Sequence, residues 1–174
     1  YKPMDEVLAE YGADALRFFI LTSPIVNGED AIFSVDSLRD TKRDFFLTLW
    51  NCLRYFVTYA NVNKFRGASL KSKNVLDRWI LLRLGELGNG IIKGLNNYNV
   101  LEASRLFQPF VKDLSTWYIR RSRDRLKEGD TQALNTLHRV LSDLSILLAP
   151  FVPFFAENIY AVLQVSKETK LPSV

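Results

Sequence analysis

DLSTWYIRRSRDRLK, residues 113–127, reads as a helix that begins apolar and ends in charge. Upstream of it, Ala103, Leu106, Phe107, Phe110 and Leu114 recur at three and four residues and lead to Trp117 or Tyr118, the spacing of one buried helix face. Continued at that spacing, the stripe reaches Arg121 and Arg125, which places these two along the core edge and Arg120 and Arg123 to either side. Arg120, Arg121, Arg123, Arg125 and Lys127 stand against a lone acid, Asp124, so the end of the helix carries a dense positive field that attracts phosphates. Trp117 and Tyr118 lie one turn earlier, and their rings would stack on exposed bases if they face outward. The alternative is that both aromatics are core and the arginines form a solvated face with carboxylate partners. Trp117 is read first as core and is kept as a candidate RNA contact. Pro109 removes an amide in mid pattern and predicts a kink.

The neighbouring segments repeat the helical period. Preceding this helix, residues 75–98 place Leu76, Ile80, Leu84, Leu87, Ile91, Leu95 and Tyr98 on an inner face. Gly85, Gly88, Gly90 and Gly94 crowd its middle, each costing about 1 kcal/mol relative to alanine. They predict either a break near residues 88–90 or close approach by a neighbouring helix. Residues 62–74, with Gly67, Ser69, Ser72 and several basic side chains, read as a surface loop. Before it, a helix over 34–61 starts at Ser34 as N-cap and buries Leu38, Phe45, Phe46, Leu49, Leu53, Phe56, Val57 and Ala60. At the start of the chain, a short helix breaks at Gly12 and a second runs over 13–21, until Pro24 biases Ser23 out of the helical region. Downstream, Gly129 and Asp130 form a turn. A helix over 131–148 then buries Leu134, Leu137, Leu141, Leu144 and Leu148, and a last helix begins near Pro153. Strand-like alternation is confined to 31–33. The expected architecture is all-α, an antiparallel bundle of four to five helices with a short N-terminal helical connector.

The 174 residues carry 23 basic and 19 acidic side chains, a net charge of +4, so the local cluster says more about partners than the total does. Cys52 is the one cysteine, which rules out an internal disulfide and points to a reducing, cytoplasmic setting. His138, partly exposed one residue off the apolar stripe, cannot build a zinc site with one distant cysteine, so no metal is expected. The apolar run at 144–155 is interrupted by Pro150 and Pro153 and is too short for a bilayer, so no membrane role is expected. No glycine-rich phosphate loop and no nucleophile–base pair occurs, and Glu6 and Glu10 are ordinary solvated charges, so no catalytic residue is assigned. The chain starts at Tyr1 without an initiator methionine, which suggests a piece of something longer.

Five phrases resemble one family in its own order. YGADALRFFILTSP at 11–24 is similar to the segment after the KMSKS loop of class I aminoacyl-tRNA synthetases of the isoleucine, valine and leucine group. LWNCLRYFVTYAN at 49–61, LDRWILLRL at 76–84 and LAPFVPFFAENIY at 148–160 agree, and WYIRRSRDR at 117–125 looks most like the isoleucyl branch. The resemblance implies a connector over 1–33 that joins a catalytic domain, an anticodon-binding helix bundle over 34–165, and a frayed tail over 166–174. The HIGH and KMSKS signatures are not in this sequence, so aminoacylation with ATP and magnesium would belong to a catalytic domain outside it, and the fragment alone would not be catalytic. The implied partner is an isoleucine tRNA. Its anticodon loop can splay bases onto rings or guanidinium planes, for which arginine is better suited than lysine. The candidate contacts are Arg120, Arg121, Arg123 and Arg125, with Lys127 as a peripheral phosphate contact and Trp117 as the ring. The same domain of a valyl or leucyl enzyme, or a helical module whose basic end docks an acidic protein, remain the alternatives.

Overall fold

Side-chain and backbone caps fix where the helices of this bundle begin and turn. The computed structural model describes residues 3–30, 33–67 and 72–164. The first rod begins with Ser34, whose Oγ accepts the Ser37 N–H at 3.0 Å. Its parts are α3 (Val35–Thr41), a π-helical turn (Lys42–Leu47) and α4 (Thr48–Val62), joined without a break in helical backbone. The wide turn lets adjacent Phe45 and Phe46 both reach the core. The rod ends with Lys64 in the left-handed region, where the Phe65 N–H bonds the Ala60 carbonyl and the Lys64 N–H that of Asn61.

The second rod, α5 (Val75–Asn96), is continuous through all four glycines. The close-approach reading therefore holds, at Gly94. A Cβ there would sit 2.9 Å from that of Ala103 on α6 (Val100–Arg105). Gly94→Val is expected to cost about 1–3 kcal/mol by overpacking, whereas Gly85→Ala, which meets open space, should stabilise by up to about 1 kcal/mol. Thermal melts of the two variants check both signs. Tyr98 corrects the inner-face expectation, being 93% exposed with φ at 56°. Asn99 N–H to Gly94 carbonyl and Tyr98 N–H to Leu95 carbonyl close the helix end, which turns Tyr98 outward.

The third rod returns as α6, α7 (Phe107–Lys112), a second π-helical turn (Asp113–Ile119) and α8 (Arg123–Lys127). Pro109 cannot donate to the Arg105 carbonyl, and the helix breaks at Leu106 as expected. Asp130 caps α9 (Thr131–Leu148) by accepting the Gln132 and Ala133 N–H groups. The last helix is α10 (Pro153–Gln164). His138 is buried on α9, its ring tilted against Phe56 and Phe65, which corrects its expected partial exposure. Cys52 is buried, and desolvation pushes its thiol up to about 12. Among the described residues there is no strand, and no helix is long and apolar enough to cross a membrane. The tail over 166–174 and most of the 31–33 stretch lie outside the described residues.

The N-terminal pair, α1 (Met4–Tyr11) and α2 (Ala13–Thr22), shares the bundle's core. Phe18 is fully buried and stacks on Phe45 with ring centres 4.2 Å apart, among Phe46 and Phe107. Ser104 Oγ donates to the Leu21 carbonyl and Arg105 Nε to that of Thr22. Asp14 accepts the Phe155 N–H at 2.6 Å across the chain. Burial pushes the Asp14 carboxyl above its ordinary 3.8, against the pull of Phe155 N–H and Arg17. A raised folded value means that the stability linked to Asp14 is fully present below the ordinary 3.8 and is lost as pH rises through the raised value. Asp14→Asn should therefore flatten the acid side of the stability curve, read by denaturant unfolding at a series of pH values.

Candidate nucleic-acid interface

The end of the bundle where α4, α5, α8 and α9 meet is organised around one buried carboxylate. Asp77, in the first turn of α5, is fully buried. It accepts from Tyr118 Oη at 2.9 Å, from Arg125 Nη1 and Nη2 at 3.0 and 2.9 Å, and from Ser72 Oγ at 2.6 Å. Arg125 Nε donates to Asp130 at 2.8 Å. A buried ion is tolerated only with its partners in place, and here they come from the third rod on both sides of Ser122 and from the loop before α5. The Asp77 hydrogen bonds raise the Arg125 guanidinium further, despite partial burial. Desolvation, followed by the Asp77 charge, pushes the Tyr118 hydroxyl up. Burial alone would raise Asp130, but the Arg125 bond and the Ala133 N–H outweigh it and hold the carboxyl below 3.8.

The arrangement separates the arginines into two groups. Arg125, expected to meet RNA, has all three guanidinium nitrogens taken by Asp77 and Asp130, so the structure gives it an internal place instead. Arg120, Arg121, Arg123 and Lys127 are exposed. The ion pairs of the described residues involve none of these four. Trp117 is the second correction, 51% exposed where core was expected, while Tyr118 fills the interior. The reason is the π-helical turn. Its extra residue per turn carries the buried stripe through Leu114, Tyr118, Ser122 and Leu126, one position away from the stripe that a uniform α-period gives. Arg121 also leaves the core edge for solvent, and its guanidinium carbon lies 4.5 Å from the centre of the Trp117 ring.

Other cations border the same end. Tyr55 Oη donates to the Arg123 carbonyl and ties α8 to α4. Gly129, at φ 80°, lies so close to Asn63 that a Cβ would overlap it. Lys64 and Arg66, just beyond Asn63, and Lys73, beside the anchored Ser72, are exposed. Sequence reading assigned these three only to a basic loop; the signal that they belong with the arginines is tertiary. Asp124 and Glu128 are the exposed acids on the arginine side. Among the described residues no group of three or more His, Cys, Asp or Glu side chains gathers to hold a metal ion.

The family model described as the anticodon-binding domain of tRNA ligase matches residues 77–173, which include the whole arginine segment. The chain belongs to this family. Curated relatives agree with that membership. The isoleucine–tRNA ligase of Protochlamydia amoebophila is 37% identical over 171 residues, covering 94% of this chain and 16% of that protein. That of Bdellovibrio bacteriovorus is 40% identical over 179 residues, covering 95% and 16%. That of Dehalococcoides mccartyi is 41% identical over 170 residues, covering 93% and 17%. The chain thus spans about a sixth of the length of the relatives it matches. Within an anticodon-binding domain, open guanidinium groups beside an exposed indole are the groups suited to a single-stranded RNA loop.

Proposed function

We propose that this chain is the anticodon-arm recognition domain of an isoleucine–tRNA ligase, a cytoplasmic enzyme whose catalytic domain attaches isoleucine to its tRNA using ATP and magnesium. No residue of this chain is assigned to that chemistry. Residues 1–33 link the bundle to the catalytic domain. The observation that carries the proposal is the set of four exposed cations, Arg120, Arg121, Arg123 and Lys127, without carboxylate partners among the described residues and beside exposed Trp117. The names of the relatives supply the amino acid.

In this reading Arg120, Arg123 and Lys127 meet the phosphates of the loop, while Trp117, with Arg121 laid on one face, offers the other face to a base. The test is binding of this chain to isoleucine, valine and leucine tRNA transcripts across a salt series. Preference for the isoleucine tRNA with a log–log salt slope between about −2 and −3, as expected from roughly three neutralised phosphates, is the predicted outcome. A flat salt response, or equal binding of an unrelated RNA hairpin, overturns it. Capture of an acidic protein that survives complete RNase treatment, with no tRNA affinity, would replace it with the docking-module reading.

A further inference from the structure

We infer that Asp77 and Asp130 are positioning residues for RNA binding: by clamping Arg125 they hold α8 at the angle that presents Arg120, Arg121 and Arg123 together. This rests on the RNA-binding reading of the arginine end and adds to it a means by which that end is shaped. The observations lie in the geometry of one short segment. Ser122 interrupts the helix between the open arginines, and α8 beyond it has only five residues, too few to be a stable helix without tertiary support. Its attachments are Leu126 in the core, the Tyr55 bond to the Arg123 carbonyl at 3.2 Å, and the Arg125 side chain. Of these, only Arg125 forms ion pairs, reaching α5 through Asp77 and the N-cap of α9 through Asp130. Its planar fork fixes direction as well as distance, since Nη1 and Nη2 meet the two oxygens of Asp77 in parallel and Nε meets Asp130. Tyr118, on the rod before the Ser122 break, bonds the same Asp77. The segments before and after the break are thus referred to one carboxylate, and the arginines they carry are held in a fixed relation.

The inference can be tested because it has the opposite sign to simple electrostatics. Removing an acid from a basic RNA-binding end should strengthen binding to a polyanion, and freeing Arg125 should add a phosphate partner. Positioning predicts the reverse. Asp130→Asn keeps an N-cap of equal quality for α9 but weakens the hold on Arg125. It is expected to bind isoleucine tRNA about fivefold more weakly, with the salt slope shallower by about one unit. Asp77→Asn and Arg125→Lys should each do the same, and their combination should weaken binding by less than the product of the two, measured at a temperature where circular dichroism shows full helicity. If Asp77→Asn does not fold, Asp130→Asn alone decides. Equal or tighter binding with an unchanged or steeper slope in Asp130→Asn overturns the inference. If charge reversal at Arg120 and Arg123 still weakens binding, the RNA-binding reading stands without it. If that reversal has no effect either, the reading itself has failed.

Discussion

Replacing Arg120 and Arg123 together by glutamate is expected to weaken the binding of isoleucine tRNA to this chain by about a hundredfold at about 0.1 M salt. Each neutralised phosphate releases close to one counterion, which at that salt is worth about 1 kcal/mol, or roughly sixfold in affinity. Removing both arginines from the phosphates therefore accounts for about fortyfold, and the repulsion of two new carboxylates from the backbone supplies the remainder. The salt slope should become less steep by about two units, whereas Trp117→Ala, which removes a stacking surface and no charge, should lower affinity by about tenfold or more and leave the slope unchanged. Filter binding or fluorescence anisotropy across a salt series separates the two signatures. A double reversal that binds within about twofold of the parent would mean that the exposed arginines face away from the RNA.

That experiment concerns residues only partly readable from sequence. Helix boundaries set by local chemistry were legible: Ser34, Gly12, Pro24, Gly129 and Asp130 each act through their own backbone or a neighbour within three residues, and α9 spans Thr131–Leu148 as its pattern implies. Pro109 likewise declares its missing amide, and the rod breaks at Leu106. The π-helical turns were not legible. Lys42–Leu47 and Asp113–Ile119 contain ordinary helix-compatible residues, and what widens them is the gain from burying adjacent pairs, Phe45 with Phe46 and Tyr118 with Ile119. A uniform helical period leaves the choice between Trp117 and Tyr118 open and puts Arg121 at the core edge, whereas the wide turn buries Tyr118 and turns Trp117 and Arg121 outward. Arg125 was misread for another reason. Its partners lie 48 residues upstream and 5 downstream, and no local spacing marks Asp77 as the acid that is buried. Gly94 shows the same limit, since a helix interior with four glycines does not say which one meets Ala103.

Phe18→Ala is expected to lower the stability of the whole chain by about 3–5 kcal/mol, the cost of a cavity in a phenylalanine cluster that cannot collapse around it. Phe18 is fully buried, stacked on Phe45 and in edge or tilted contact with Phe46 and Phe107, so the loss falls on the first and third rods as well as on α2. In a chain of this size that corresponds to a melting point lower by about 10 °C. The chain's three tryptophans, Trp50, Trp79 and Trp117, all lie in the rods of the bundle and none in the N-terminal pair. Tryptophan fluorescence therefore reports the bundle alone, while circular dichroism reports every helix. With one shared core, the two signals should move together in the variant, as a single transition at the lower temperature. An N-terminal segment that was only a tethered appendage would leave the fluorescence midpoint where it was, with loss confined to a small, earlier change in helicity. The distinction bears on function. If α2 is welded to the bundle through Phe18, Asp14 and the Ser104 bond to Leu21, then under the proposed reading a catalytic domain attached through residues 1–33 would be joined to the arginine end through packed side chains rather than through a flexible tether.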